Sequence, residues 1–324
     1  MYDTVHFLIN KHEIPNKELN ALIEQLKNCP TTYDTKTDEM LNIRGNFKNL
    51  KIEINNYTLK ISGSLPKFLL GNNIEILTCS QVKEAITKIS QELGVDIRKA
   101  KVVRLDISAC FFMKNKVEDY FPILDSRKSL KRSNIKKETL MFINKSKEKT
   151  KHIMLYDKTK EMEDKGSEIP DRYKNKNILR YEIQIFKRIK KELGISELTA
   201  DLLFDKQFYN NAIEYLIKEY ERIEKKPTIN FGAIDKSQKS KEIVDNILIM
   251  SLFELSKNKL QETLDNLSKE GVIKNKASKY RIKKMILDRC KRGKFVEDDS
   301  LKLELDKKIY GLRSYKVKYK KLIE

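Results

Sequence analysis

The stretch KVVRLDISACFF, residues 101–112, alternates apolar and polar side chains through its middle. A period of two belongs to a strand with one face packed and the other free to carry chemistry. Val103, Leu105, Ile107 and Ala109 share the apolar face, so Arg104, Asp106 and Ser108 point the other way. Two more stretches repeat the pattern. In NILRYEIQIFK (177–187) the apolar set is Leu179, Tyr181, Ile183 and Ile185, leaving Arg180, Glu182 and Gln184 opposite. In KHIMLYD (151–157), Ile153 and Leu155 go inward and His152, Met154 and Tyr156 outward, with ETLMFIN (138–144) as hairpin partner.

Working outward, Val5, Phe7 and Ile9 mark an opening strand, and LKIEINNYTLKIS (50–62) reads as two strands about an Asn55-Asn56 turn. GSLPKFLLGNN (63–73) reads as a loop broken by Gly63, Pro66 and Gly71, which offers Lys67 to a phosphate. SQVKEAITKISQELG (80–94) has helical spacing, with Ser80 to cap it and Gly94 to stop it. A short helix is expected near 117–123. From about residue 196 the pattern is helical, most clearly over 211–223 and 241–256. This order predicts an α+β architecture: a curved antiparallel sheet with helices on one face, then a helical C-terminal region. A polar stretch with Pro227 and Gly232 suggests a division into 1–232 and a basic region, 233–324.

Among 324 residues, 67 are basic and 47 acidic, a net charge of +20 that favours a polyanionic partner. The alternative is a compositional bias toward Lys, Asn and Ile. Cys29, Cys79, Cys110 and Cys290 show no metal-binding or disulfide spacing, which fits a reducing cytoplasm. MYDTVHFLIN lacks the basic leader and apolar core of a signal peptide. No stretch approaches the ~18 apolar residues needed to span a bilayer, so no membrane partner is expected.

The three strands together offer Asp106, Glu182 and Tyr156 on one polar face, beside Arg104 and Arg180, which are expected to meet DNA phosphates. Two such carboxylates repel unless a cation lies between them, and hard oxygen donors suit Mg²⁺ or Mn²⁺. A metal there would polarise a phosphoryl oxygen, with the Tyr156 hydroxyl as nucleophile. Lys158 and Lys160 follow directly, placed to position a phosphate or to give a proton to a leaving oxygen. Asp157 breaks the alternation: either the strand ends or bulges and Asp157 joins the metal shell, the reading we prefer, or it caps the next segment. The plain alternatives are that Asp106 and Glu182 pair with Arg104 and Arg180, and that Tyr156 is an ordinary sheet aromatic. Tyr310, in a basic aromatic tail, is the rival nucleophile.

RLDI (104–107), LYDK with Glu161 (155–161) and LRYEIQ (179–184), in this order, resemble the pattern of phage and plasmid rolling-circle replication initiators, the Rep_trans type together with the filamentous-phage replication proteins. YDTVHFLI and GSLPKFLLGNN are similar to that group too, so the likeness spans most of residues 1–225. The resemblance implies an enzyme that nicks one DNA strand at an origin through a tyrosine, stays on the 5′ phosphate and leaves a 3′ hydroxyl for a polymerase. By this likeness the tyrosine falls on Tyr156 and the acidic positions on Asp106, Asp157 and Glu182. Initiators of the His-hydrophobe-His class hold their metal through paired histidines; His6, His12 and His152 are not so spaced. Partners implied are single-stranded or supercoiled origin DNA and a host helicase and polymerase. Other readings are a non-enzymatic origin-binding protein and a mobilisation relaxase, and the oligomeric state, a dimer included, stays open.

In the C-terminal third, ASKYRIKKMILDRCKRGK (277–294) forms a helix with Tyr280, Ile282, Met285, Ile286 and Cys290 near one side. Lys283 and Lys284 fall among the bases of the other side, suited to phosphates. Residues 241–276 read either as a winged-helix-like module or as a plain helical cap.

Overall fold

The structure, a computed structural model, describes residues 1–26, 31–33, 40–145, 148–226, 228–229, 257–292, 296–297 and 300–317. The helix expected over 241–256, most of the 225–240 stretch and Cys29 lie outside the described residues. Two compact units form: Met1–Val117, Ser129–Tyr220 and Ile309–Glu324 make the first, Glu118–Lys128 and Glu221–Lys308 the second. The chain therefore passes between units more than once and is not divided by a single cut near 233.

The first unit holds a 10-stranded sheet. Its strands are β1 (Tyr2–Asn10), β2 (Thr31–Tyr33), β3 (Met40–Phe47), β4 (Leu50–Asn55), β5 (Thr58–Ser64), β6 (Lys101–Met113), β8 (Leu130–Lys136), β9 (Thr139–Asn144), β10 (Lys151–Asp157) and β11 (Asn177–Ile185); β7 (Leu124–Arg127) belongs to the second unit. The order is β2-β3-β4-β5-β1-β6-β11-β10-β9-β8, antiparallel throughout. The β4–β5 turn forms at Asn55-Asn56, where Asn55 Oδ1 accepts from the amides of Tyr57 at 2.8 Å and Thr58 at 2.7 Å.

Alternation holds along β6 from Leu105 onward, and fails before it. Val102 is buried and Val103 is 37% exposed, because the β1–β6 register shifts between His6 and Phe7 and inserts one residue. A first helix, α1 (Asn16–Gln25), follows β1 and buries Leu19 and Leu22. The segment 63–73 is not a plain loop. Ser64 caps a short helix, α2 (Leu65–Leu70), accepting from the Lys67 amide at 3.3 Å. Pro66 sits in its first turn, where its missing N–H costs nothing, and Gly71 ends it at φ 75°. The longer helix α3 (Cys79–Leu93) is capped by Thr78 in a reciprocal box with Gln81, two residues before the expected cap, and stops at Gly94 as expected.

The apolar face of the sheet is covered by α6 (Lys206–Glu221), which follows α4 (Lys158–Asp164) and α5 (Ile189–Leu193). Tyr181 on β11 donates to the Leu216 carbonyl in α6 at 3.1 Å, and Tyr2 of β1 meets the ring of Tyr209 edge-on. Tyr209 in turn donates to the Leu77 carbonyl, just before α3. The opposite, polar face is bounded at one end by α4. There Met162 packs with Ile178, Tyr173 and Ile74 in a small separate core.

In the second unit β7 pairs with β12 (Ile223–Lys225), and β13 (Thr228–Ile229) with β14 (Val296–Glu297). Its helices are α7 (Lys257–Lys269) and α8 (Lys276–Arg292), and it takes in most of α9 (Ser300–Tyr310). Leu260, Leu264 and Ile273 are buried together with Ile286 packed against them, and Gly271, at φ +75°, makes the turn between α7 and α8.

Candidate active site

The pairing register brings the expected residues to one patch. Tyr156 stands opposite Arg180, Met154 opposite Glu182, Glu182 opposite Ser108, and Gln184 opposite Asp106. All have the parity of the polar face, and Tyr156, Asp106, Glu182 and Gln184 line one cleft of about 940 Å³. Such a volume lies at the upper end of ordinary ligand sites, ~300–1,000 Å³.

Arg180 organises the patch from beneath. Its side chain is 1% exposed, with Nε donating to Glu182 Oε2 at 2.8 Å and Nη1 to the Asn73 carbonyl at 2.6 Å. Nη2 donates to Asp3 Oδ2 at 2.5 Å and to Ser108 Oγ at 2.8 Å. Sequence reading offered Arg180 to a DNA phosphate; its burial and these bonds make it an internal clamp instead. Asp3 also accepts from Ser64 and Asn73, and the Arg180 guanidinium leads the influences that keep its carboxyl ionised against the cost of burial. Asp3 was missed because strict alternation from Val5 and Phe7 sends it into the apolar core. A register shift between Tyr2 and Val5 turns it to the polar side.

Tyr156 Oη donates to Glu182 Oε2 at 3.2 Å, the same oxygen that accepts from Arg180. Burial holds the phenol well above its ordinary pKa; Arg180 pulls the other way, and Glu182 adds to the rise. Burial thus disfavours the phenolate, and the phenol's hydrogen bond is directed at Glu182. Gln184 Nε2 donates to Glu182 Oε1 at 2.7 Å, so both carboxylate oxygens are fixed in place.

Asp106 is 1% exposed and held by Arg104 through Nε at 3.0 Å and Nη2 at 2.8 Å. Burial pushes its carboxyl up to about 7; Arg104 opposes this, while Glu182 and Asp3 contribute to it. Arg104 remains partly exposed at the cleft, its guanidinium 4.7 Å from the Phe186 ring centroid.

Two expected roles need correction. Asp157, expected in the metal shell, lines the cleft but takes the other role open to it: its Oδ1 accepts from the amides of Thr159 at 2.9 Å and Lys160 at 3.1 Å and caps α4. The strand ends there because the helix begins at Lys158, and the helix's open amides need an acceptor. Lys158 consequently follows helical geometry. It is 1% exposed and absent from the cleft lining, its Nζ 2.5 Å from Glu161 Oε2, and burial and then Arg180 depress its pKa. Lys160 does line the cleft, 3.5 Å from Glu138, and Lys67 lines it from α2. Lys136 and Lys165 join that rim, unforeseen because nothing in their local sequence distinguishes them from other surface lysines. His152 packs edge-on against Phe186. Lys283 is partly buried and Lys284 exposed on α8 of the second unit.

Among the described residues no group of three or more His, Cys, Asp or Glu is poised to hold a metal ion. Asp106 and Glu182 offer the cleft hard oxygen donors, and Asp3, Glu138, Asp157, Glu161 and Asp164 also line it. The rise of Asp106 caused partly by Glu182 is repulsion that a divalent cation would relieve, so the pair suits such an ion in charge and donor chemistry. Arg104 now occupies Asp106 and would have to yield it.

Residues 1–209 match a family model, which sets this chain among the rolling-circle replication initiators. The family is described as the N-terminal part of a phage replication-associated protein, and the chain belongs to it. Among solved structures, a rolling-circle replication initiator protein from Geobacillus stearothermophilus is similar at 13% identity, over 75% of this chain and 89% of that one, with a TM-score of 0.38. No curated protein sequence matches the chain.

Proposed function

We propose that this initiator nicks one strand of origin DNA with Tyr156 as nucleophile. The observation that carries the reading is the Tyr156–Glu182 hydrogen bond at 3.2 Å inside a cleft rimmed by Lys67, Arg104, Lys136, Lys160 and Lys165. Tyr156 Oη attacks the phosphorus, its proton passes to Glu182, and the bond from phosphorus to the 3′ oxygen breaks. One phosphodiester is lost and one phosphotyrosyl ester gained, so the strand's 5′ end stays on the protein and its bond energy is kept for rejoining. The departing 3′ oxygen takes a proton from solvent or Lys160 and is left as the primer terminus for a polymerase. Asp106 and Glu182 would hold Mg²⁺ or Mn²⁺, which when bound supplies charge neutralisation at the phosphoryl group. Arg180, fixed by Asp3, keeps Glu182 aimed at the phenol.

The test is relaxation of a supercoiled plasmid carrying the cognate origin. Tyr156→Phe is expected to abolish cutting while retaining DNA binding, and cutting by that variant would defeat the proposal. One observation favours a second reading, a purely origin-binding protein: Asp106 and Glu182 each already have an arginine partner. Such a binder would show no divalent-ion requirement and no covalent adduct.

A further inference from the structure

The packed and exposed sides of α8 are not those its sequence suggests. It meets α7 through Lys279, whose ammonium contacts Asp265, through Lys283, whose Nζ donates to Gln261 Oε1 at 2.7 Å, and through Ile286 against the Leu260–Leu264–Ile273 cluster. Steps of four and three place these on one side of the helix. Lysine stems thus occupy the packed side, their methylenes against the neighbour. Tyr280 and Met285, grouped with Ile286 on one side by the sequence, are each 67% exposed, with Arg281 and Lys284 exposed beside them. Among the described residues neither Arg281 nor Lys284 forms an ion pair within the chain.

We propose that this outward face, Tyr280, Arg281, Lys284 and Met285, reads duplex DNA from the major groove, with α7 and α8 as the two helices of a helix-turn-helix. Three features support it. The two helices share a small apolar core and are joined by a six-residue connection, 270–275, in which Gly271 has φ +75°; in a helix-turn-helix the second helix presents its N-terminal half to bases. Arginine and lysine at successive turns match the acceptors of guanine and the phosphates beside it. Exposed tyrosine and methionine suit the thymine methyl, the apolar group on the groove floor. Charge also selects the occupant. Pairing this face with its own copy would set Arg281 and Lys284 against like charges, whereas DNA supplies the opposite sign. The choice of DNA rests on the chain being a replication initiator, and it does not depend on the chemistry assigned to Tyr156.

The experiment uses the full chain, a fluorescein-labelled 30-base-pair duplex pool of random sequence, and fluorescence anisotropy across a KCl series. After selection of tight binders from the pool, Arg281→Ala with Lys284→Ala is expected to weaken binding about tenfold or more, and to flatten the salt dependence by about 0.9 for each phosphate no longer neutralised. Tyr280→Ala with Met285→Ala should change which sequences are recovered while leaving the salt slope near that of the parent. All four side chains are exposed, so thermal melting should match the parent. Wild-type affinity, slope and selected sequence in both double variants would overturn the proposal. So would conversion of a dimer to a monomer, seen by light scattering, with DNA binding unchanged. Because the readout is binding, a failure here leaves the nicking assignment standing, and loss of that assignment leaves this one standing.

Discussion

Arg180 is the residue on which the site's geometry depends, and its importance was not visible in the sequence. LRYEIQ presents it as one of many strand arginines. Its partners Asp3 and Asn73 lie far off in the chain and meet it only because β1 and the segment after α2 come to the same patch. Replacing it by Met would leave two buried carboxylates, Asp3 and Glu182, without their counter-charge. A loss of roughly 3–5 kcal/mol of stability is expected, measurable by urea denaturation, with Arg180→Lys recovering part of it. A change below about 1 kcal/mol would mean that the two carboxyl groups do not depend on Arg180 for their counter-charge. The placement of Tyr156 and Glu182 in one patch, by contrast, was legible, since strand parity alone put both on the polar face. Asp157 and Lys158 were misplaced for one shared reason: an acid at the end of a strand reads equally as a ligand or as a helix cap.

At the scale of elements, period-two alternation located the main strands, and hairpin residues located their turns. What alternation does not reveal is where a register shift adds a residue. The two shifts in the β1–β6 pairing, one adding a residue on each strand, account for both parity errors, Asp3 and Val103. Close approach is equally hidden: a Cβ on Gly63 of β5 would lie 2.7 Å from Leu50 Cδ2 and 2.9 Å from the Asn49 carbonyl oxygen. Gly63→Ala should therefore cost about 1–3 kcal/mol by forcing the β4–β5 hairpin apart, as read from the shift in denaturation midpoint. His6, on the same sheet, supplies a pH dependence. Burial, and then Arg104 and Lys60, push its pKa down to about 4. An unfolded histidine titrates near ~6.5 and protonation is disfavoured in the fold. Its contribution is thus present above about pH 6.5 and is lost as pH falls toward 4. The wild-type stability should drop more steeply across that window than that of His6→Gln, and parallel curves would show that His6 is not so perturbed.

For the whole molecule, charge and motif order pointed to a DNA-acting initiator, and the family match over residues 1–209 agrees. The two-part organisation was harder to read. A helical tail is recognisable by period, but nothing in Glu118–Lys128 announces that it belongs with residues beyond 220. The central claim remains local: a phenol on β10 attacks a phosphate with Glu182 beside it. The most direct measurement is mass spectrometry of the full chain after reaction, with Mg²⁺ or Mn²⁺ present, with a single-stranded origin oligonucleotide that traps the cut strand. The expected result is one peptide, containing Tyr156, that carries the 5′-phosphoryl fragment. An adduct on Tyr310, or cleavage with no adduct on any tyrosine, would contradict the account.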